Sequence, residues 1–318
     1  MAELIFCLMG PTASGKTALA CELVELFPME IISVDSAMIY RGMDIGTAKP
    51  DARELVRAPH HLLDIIDPCE SFSAAQFCEE AHSLIGSIRQ RGKIPLLVGG
   101  TMMYFHALQQ GLSTLPEADE TIRERLLQQA RQTGWPAMHE ELAKIDAASA
   151  ARIHPNDTQR LQRALEVYWI TGKPLSYFLA RQKSQNNGYR FINMMLFPDE
   201  RAWLHERIAI RFKAMLAQGL VNEVRQLINQ WTLTAQHPAM RCVGYRQVCD
   251  YLAGQFDEHI LCDKGIAATR QLAKRQLTWL RHWSQGTYFS CDKQGVASDI
   301  VANIAEILDN NRLEDSGS

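Results

Sequence analysis

Long apolar runs are missing from this 318-residue chain, where none approaches the roughly 18 residues that cross a bilayer. An excess of charge is missing too. Lys and Arg number 33 against 36 Asp and Glu, a net charge of −3, so no global cationic field draws in a polyanion. Any nucleic-acid surface must therefore be local. The eight cysteines (Cys7, Cys21, Cys69, Cys78, Cys242, Cys249, Cys262 and Cys291) form no Cys-x-x-Cys pair. The ten histidines show no His-x-x-x-His or Cys/His spacing. A zinc site is thereby disfavoured, and reduced, mostly buried thiols in a cytoplasmic protein are expected. The opening "MAELIFCLMG" has no basic segment before its apolar residues and reads as a buried strand rather than a signal peptide. Internal repeats and low-complexity segments are absent.

What is present is an ordinary globular composition, 47% hydrophobic and 22% charged, in a chain long enough for two domains or one with a large insertion. Over the first hundred residues short apolar runs alternate with helical patterns. Strands are predicted at Leu4 to Met9, in "EIISVD" and in "IPLLVGG". Helices are predicted from Thr17 to Phe27, from a Ser73 cap to Arg91, and from Thr101 to Gln110. Continuous apolar strands separated by helices imply an α/β fold with a parallel sheet covered on both faces. From 116 to 187 strands vanish and amphipathic helices take over, the clearest lying between Asp157 and Gly172, so this stretch reads as a helical insertion. "RFINMMLF" returns to the sheet, helices dominate from Arg201 to Trp283, and "TYFS" supplies a last strand. The expected division is a core at 1–115, the insertion at 116–187, completion of the core at 188–310 and a disordered tail at 311–318.

Residues 10 to 17 read "GPTASGKT": a glycine, four residues, then Gly-Lys-Thr, between a strand and a helix. This is the P-loop pattern. Gly10 and Gly15 let the backbone of Pro11, Thr12, Ala13 and Ser14 close around phosphate oxygens, Lys16 adds a point charge, and the Thr17 hydroxyl suits Mg²⁺. The pattern implies a di- or triphosphate without saying whether it moves, leaves or signals. Ordinary P-loop hydrolases also place an acid at the end of a later buried strand to hold the metal. Here "IPLLVGGT" ends in Gly-Gly-Thr, and the strand-end acids are Asp35 and Asp64 instead. Asp35, followed by Ser36 and facing the P-loop at a carboxyl strand end, is a candidate general base.

Local basic faces follow from helical spacing. Arg270, Lys274 and Arg281 share one stripe, with Leu272, Trp279 and Trp283 opposite and no acid between Gly265 and Trp283. Arg160 and Arg163 share another face, with Leu161, Leu165 and Tyr168 on its far side. "RCVGYR" adds Arg241 and Arg246. Each could be a solvated face; three of them in a slightly acidic chain favour contact with a polyanion.

Together "GPTASGKT", "ISVDSAMIYRGMDIGTAKP", "LLVGGTMMYF", "RIHPNDTQRLQRALEV", "RCVGYRQV" and "ATRQLAKRQLTWLR" resemble, in order and spacing, the bacterial tRNA dimethylallyltransferases, as far as about Trp283. The resemblance implies transfer of a dimethylallyl group from dimethylallyl diphosphate to the exocyclic amine of the adenosine 3′ of the anticodon. It makes Asp35 the base, sets Thr101 beside the reacting centre and brings Arg211 to the leaving diphosphate, which the P-loop holds with Mg²⁺. It also implies tRNA contacts at Asp35, Ser36, Ala37, Met38, Thr101 and Arg123, and along Gln159, Arg160, Leu161, Gln162 and Arg163. Further contacts are implied at Arg241, Cys242, Val243, Gly244, Tyr245 and Arg246. The last implied segment is Lys274, Arg275, Gln276, Leu277, Thr278, Trp279, Leu280 and Arg281. The expected partners are tRNA and the allylic diphosphate, with no membrane, and the expected state is a monomer.

Three rival readings stand beside it. An adenylate dimethylallyltransferase would modify free nucleotide and need neither basic helix nor insertion. A small-molecule P-loop kinase would use Arg160 and Arg163 as lid arginines and consume ATP. A nucleotide-dependent RNA-binding switch would leave Asp35 without work.

Overall fold

The structure is a computed structural model and describes residues 3–113, 115–181 and 188–316. The chain divides into two units, one formed by Met1–Leu108 with Asn187–Ser318 and the other by Gln109–Asn186.

The first unit is built on six parallel strands: β1 (Glu3–Met9), β2 (Met29–Val34), β3 (His60–His61), β4 (Ile94–Gly99), β5 (Tyr189–Phe197) and β6 (Thr287–Ser290). Their order is β3-β2-β4-β1-β5-β6. Helices α1 (Lys16–Leu26), α2 (Ala52–Arg57), α3 (Ala74–Gln90) and α4 (Met102–Gln110) belong to its first half. Strand periodicity explains the two covered faces. Leu4, Phe6 and Leu8 of β1 join the core that contains Leu19 and Leu23 of α1. Ile5, Cys7 and Met9 point the other way, into the core with Phe77 of α3 and Phe105 of α4. Ser73 caps α3 with a full capping box, its side chain accepting from the Gln76 N–H while Gln76 answers the Ser73 N–H.

In the second unit, α5 (Glu120–Thr133), α6 (Trp135–Ile145), α7 (Ala147–Ala150), α8 (Thr158–Thr171) and α9 (Leu175–Leu179) enclose a separate core of Leu126, Met138, Leu142, Leu161 and Leu165. Asp157 caps α8 and Gly172 ends it in the left-handed region at φ 68°. This unit begins at Gln109, earlier than composition suggested, because the α/β part closes near the end of α4.

The first unit then continues with α10 (Arg201–Ala217), α11 (Leu220–Trp231), α12 (Tyr245–Leu252), α13 (Glu258–Arg281) and α14 (Val296–Ser316). A third core holds Ile208, Phe212 and Leu261 together with Tyr40 and Met43. At Gly265 a β-carbon would lie 1.9 Å from the Phe212 ring, so only glycine lets α10 and α13 approach this closely. Helix α14 runs to Ser316, so residues 311–316 are helical where no structure was expected.

Candidate active site

Strand β1 delivers the chain into the loop 10–17 at the carboxyl edge of the sheet. Ala13 and Gly15 take left-handed backbone angles, φ 65° and 92°, and the Ser14 hydroxyl donates to the Pro11 carbonyl at 2.8 Å. Left-handed residues in such a turn make an anion nest, in which the Thr12 N–H is already taken by Gln276 Oε1 at 2.9 Å. Lys16 Nζ donates to the Gly10 and Pro11 carbonyls at 2.9 and 2.6 Å, which holds its ammonium under the loop.

Asp35 follows β2. Its Oδ1 accepts the N–H groups of Ala37 at 2.8 Å and Met38 at 3.3 Å, fixing the carboxylate and leaving Oδ2 for chemistry. Beside it, β4 ends in glycine for a steric reason: a β-carbon on Gly99 would sit 2.0 Å from the Val34 carbonyl oxygen. Thr101 Oγ1 accepts the Ser36 N–H at 3.0 Å, and the Thr101 N–H donates to Val34 O at 3.1 Å. The strand end that would carry a metal-binding acid thus supports the Asp35 turn instead.

These groups border a cavity of about 1040 Å³ that contains the P-loop, Asp35, Arg207 and Arg211, Cys242 to Gly244, and Gln276. Burial and the Arg211 guanidinium push Lys16 down from its ordinary 10.5 to about 7, against the pull of Asp35. Burial, with a smaller push from Arg207, also lowers Arg211. Lys16, Arg207 and Arg211, held close enough to depress one another beside Asp35, suit an oligoanionic ligand, while Asp44 and Asp64 of the same wall are paired with Lys49. Arg211 donates to the Thr47 carbonyl at 3.4 Å, and Arg207 Nε to the Ala13 carbonyl at 2.8 Å. Cys242, burial-raised to about 12 and near Asp35, is a neutral thiol in this wall.

The loop after Met43 is fixed from two sides. Glu223 of α11 accepts the N–H groups of Asp44, Ile45 and Gly46 and the Tyr245 hydroxyl. Lys49 Nζ bonds Asp44 and Asp64, both at 2.6 Å. Asp64 is therefore spent on an ion pair, which separates it from Asp35 as a candidate base.

Not every expected contact presents a side chain. Arg241 and Arg246 are exposed, but Tyr245 is buried against Glu223, and its burial raises the phenol's pKa. On α13 Arg270, Lys274, Arg275, Thr278 and Arg281 are exposed, while Gln276, Leu277 and Leu280 are buried with Ala273. The packing face is thus turned from the expected one: Trp279, expected to pack, is 39% exposed and lies beside the cations, its ring edge-on to His106 at 5.8 Å. In the second unit Leu161 is core, Gln159 and Arg160 are exposed, and Gln162 is half-buried. Arg123 and Arg163 both grip the fully buried Glu166, at 2.9 and 2.7 Å. Glu166, Arg207, Glu223 and the inward turn of Gln276 escaped sequence reasoning. Only Arg207 left a signal, one helical turn before Arg211.

Thr17 lies in the cavity on the first turn of α1. Among the described residues no group of three His, Cys, Asp or Glu could hold a metal. The Thr17 hydroxyl is placed as in a P-loop, where it would share a Mg²⁺ with phosphate oxygens of a bound ligand.

A parallel sheet, a P-loop turn at the end of β1 and a cavity that brings Lys16, Arg207 and Arg211 to the strand-end carboxylate of Asp35 define a P-loop-type α/β protein. The IPP transferase family model matches residues 38–283, and the chain belongs to that family. It is 61% identical over 310 residues to a tRNA dimethylallyltransferase of Legionella pneumophila strain Corby, covering 98% of this chain and 99% of the relative. Among solved structures, the full-length tRNA isopentenylpyrophosphate transferase of Bacillus halodurans is 36% identical with a TM-score of 0.71, covering 99% of both chains. A eukaryotic dimethylallyltransferase acting on tRNA is 26% identical with a TM-score of 0.79, covering 98% of this chain and 80% of that one.

Proposed function

We propose that this chain is a tRNA dimethylallyltransferase that moves the dimethylallyl group of dimethylallyl diphosphate to the exocyclic amine of the adenosine 3′-adjacent to the anticodon. The observation that carries the reading is the placement of a backbone-anchored carboxylate, Asp35, in the same cavity as the P-loop and Arg211. The C–O bond to diphosphate breaks, the N–C bond forms, and the amine proton passes to Asp35 Oδ2. An exocyclic adenine amine is a poor nucleophile because its lone pair is delocalised into the ring, so a positioned proton acceptor is needed. Lys16, Arg211 and Arg207 meet the charge that develops on the departing diphosphate, with the loop N–H groups as further donors. Mg²⁺ at Thr17 would neutralise part of that charge when bound.

Helix α13 supports the choice of polynucleotide over free nucleotide. Its exposed Lys274, Arg275 and Arg281 follow a backbone of phosphates, and exposed Trp279 offers a stacking surface. The target base must leave the anticodon-loop stack to reach the cavity. None of the helices among the described residues is long and apolar enough to cross a membrane. We expect the protein to act as a monomer.

The test is nucleoside mass analysis after incubation with dimethylallyl diphosphate and either unmodified tRNA or AMP. Prenylated adenosine from tRNA supports the reading. Product from AMP alone would support the free-nucleotide alternative.

A further inference from the structure

Helix α13 buries one polar side chain among apolar ones. Gln276, 8% exposed, lies on the face with Ala273, Leu277 and Leu280. Its Oε1 accepts the Thr12 N–H at 2.9 Å and its Nε2 donates to the Gly100 carbonyl at 3.0 Å. Gly100 is shaped for this contact, since a β-carbon there would stand 2.4 Å from Nε2. A buried amide is costly unless both ends are satisfied, and an apolar residue would pack this face without that requirement. The amide's distinguishing property is that it joins two loops at once.

Those two loops are the two halves of the chemistry. Thr12 belongs to the P-loop. Gly100 precedes Thr101, whose hydroxyl holds Ser36 and with it the Asp35 turn. One side chain from the cationic helix therefore fixes the diphosphate cradle against the support of the proton acceptor. We propose that Gln276 is a positioning residue, one that sets the spacing between the leaving diphosphate and Asp35. The proposal rests on reading the cavity as a prenyl-transfer site. It assigns Gln276 inward to the P-loop, unlike the exposed Lys274, Arg275 and Thr278 around it. In-line displacement needs reacting atoms about 3–3.5 Å apart, and a misplacement of about 1 Å can cost on the order of 100-fold.

Two variants of the full chain test it, each beside wild type: Gln276→Met, which matches length without polar atoms, and Gln276→Glu. Gln276→Met should lower kcat by roughly 10- to 100-fold and weaken binding of inorganic diphosphate, while tRNA affinity stays within about twofold. In Gln276→Glu an ionised carboxylate still accepts from Thr12 but cannot donate to Gly100; the protonated acid can do both. Its rate relative to wild type, taken per folded molecule at saturating diphosphate, should therefore rise as pH falls. Wild-type kcat and diphosphate affinity in Gln276→Met, or a pH-independent rate ratio in Gln276→Glu, would overturn the proposal. Should wild type itself prenylate no adenosine, the reading of the cavity fails. Calorimetry with inorganic diphosphate then decides for Gln276 separately: weaker binding by Gln276→Met supports its hold on the P-loop, and equal binding overturns it.

Discussion

Thr101 Oγ1 accepts the backbone N–H of Ser36 at 3.0 Å, so the end of β4 holds the turn that carries Asp35. Removing the hydroxyl leaves that N–H to water and frees the turn. Thr101→Ala should cost about 0.5–1.5 kcal/mol of stability and lower kcat more than it changes tRNA affinity. Thr101→Ser keeps the acceptor and should recover most of the rate. Thermal melts and steady-state kinetics of the pair check this.

Among the described residues the Asp35 side chain accepts hydrogen bonds through Oδ1, from Ala37 and Met38, and on our proposal Oδ2 takes the proton. Asp35→Asn can retain the Oδ1 contacts through its amide oxygen but loses basicity. Its rate should fall by about 10²- to 10⁴-fold with tRNA binding kept. Near-normal turnover in a single-turnover assay would remove Asp35 from the mechanism.

The pH dependence of diphosphate use should report Lys16. In the free protein its pKa is about 7, lowered first by burial and then by Arg211. Below that value it is an ammonium and attracts diphosphate. Above it the free protein holds a neutral amine, and binding must take up a proton. Hence kcat/KM for dimethylallyl diphosphate should decline as pH rises through about 7. Lys16→Arg, charged throughout, should lose this limb whatever its absolute rate. The same shift has a stability consequence. Between about 7 and 10.5 the unfolded chain binds the proton that the folded chain has lost, so this residue's contribution favours folding increasingly as pH rises.

Charge on α13 should govern tRNA affinity without touching the diphosphate. Lys274 and Arg281 are exposed and clear of the buried Ala273, Gln276, Leu277 and Leu280. Lys274→Glu with Arg281→Glu should preserve the fold and weaken tRNA strongly. The slope of log affinity against log salt should become shallower, by about 0.7–0.9 for each tRNA phosphate that the variant no longer neutralises. Inorganic diphosphate should bind as before. Unaltered tRNA affinity and slope would make this stripe a solvated face.

Sequence reached the sheet and the P-loop because both are local signals. Leu4 to Met9 is continuously apolar with both faces buried, and "GPTASGKT" specifies its own turn. The position of Asp35 facing the P-loop was legible from its strand end. Partners separated by long stretches of chain were not. Gln276 meets Thr12 from 264 residues away, and Glu223 meets Asp44 from 179. Helical spacing placed the α13 cations on one stripe, yet it could not orient the packing face, because Gln276 is buried by its two loop contacts and Trp279 is left outside. Likewise Arg163 reads as a free cation in sequence but is gripped by Glu166, three residues on.

The central claim is that the P-loop here holds a diphosphate that departs as the adenine amine is alkylated. Its most direct test counts both products in one reaction of the purified protein with dimethylallyl diphosphate and unmodified tRNA, without ATP. The account predicts one diphosphate released per prenylated adenosine, with both products lost together in Asp35→Asn. Diphosphate release without prenylated nucleoside, or a requirement for ATP hydrolysis, would contradict it.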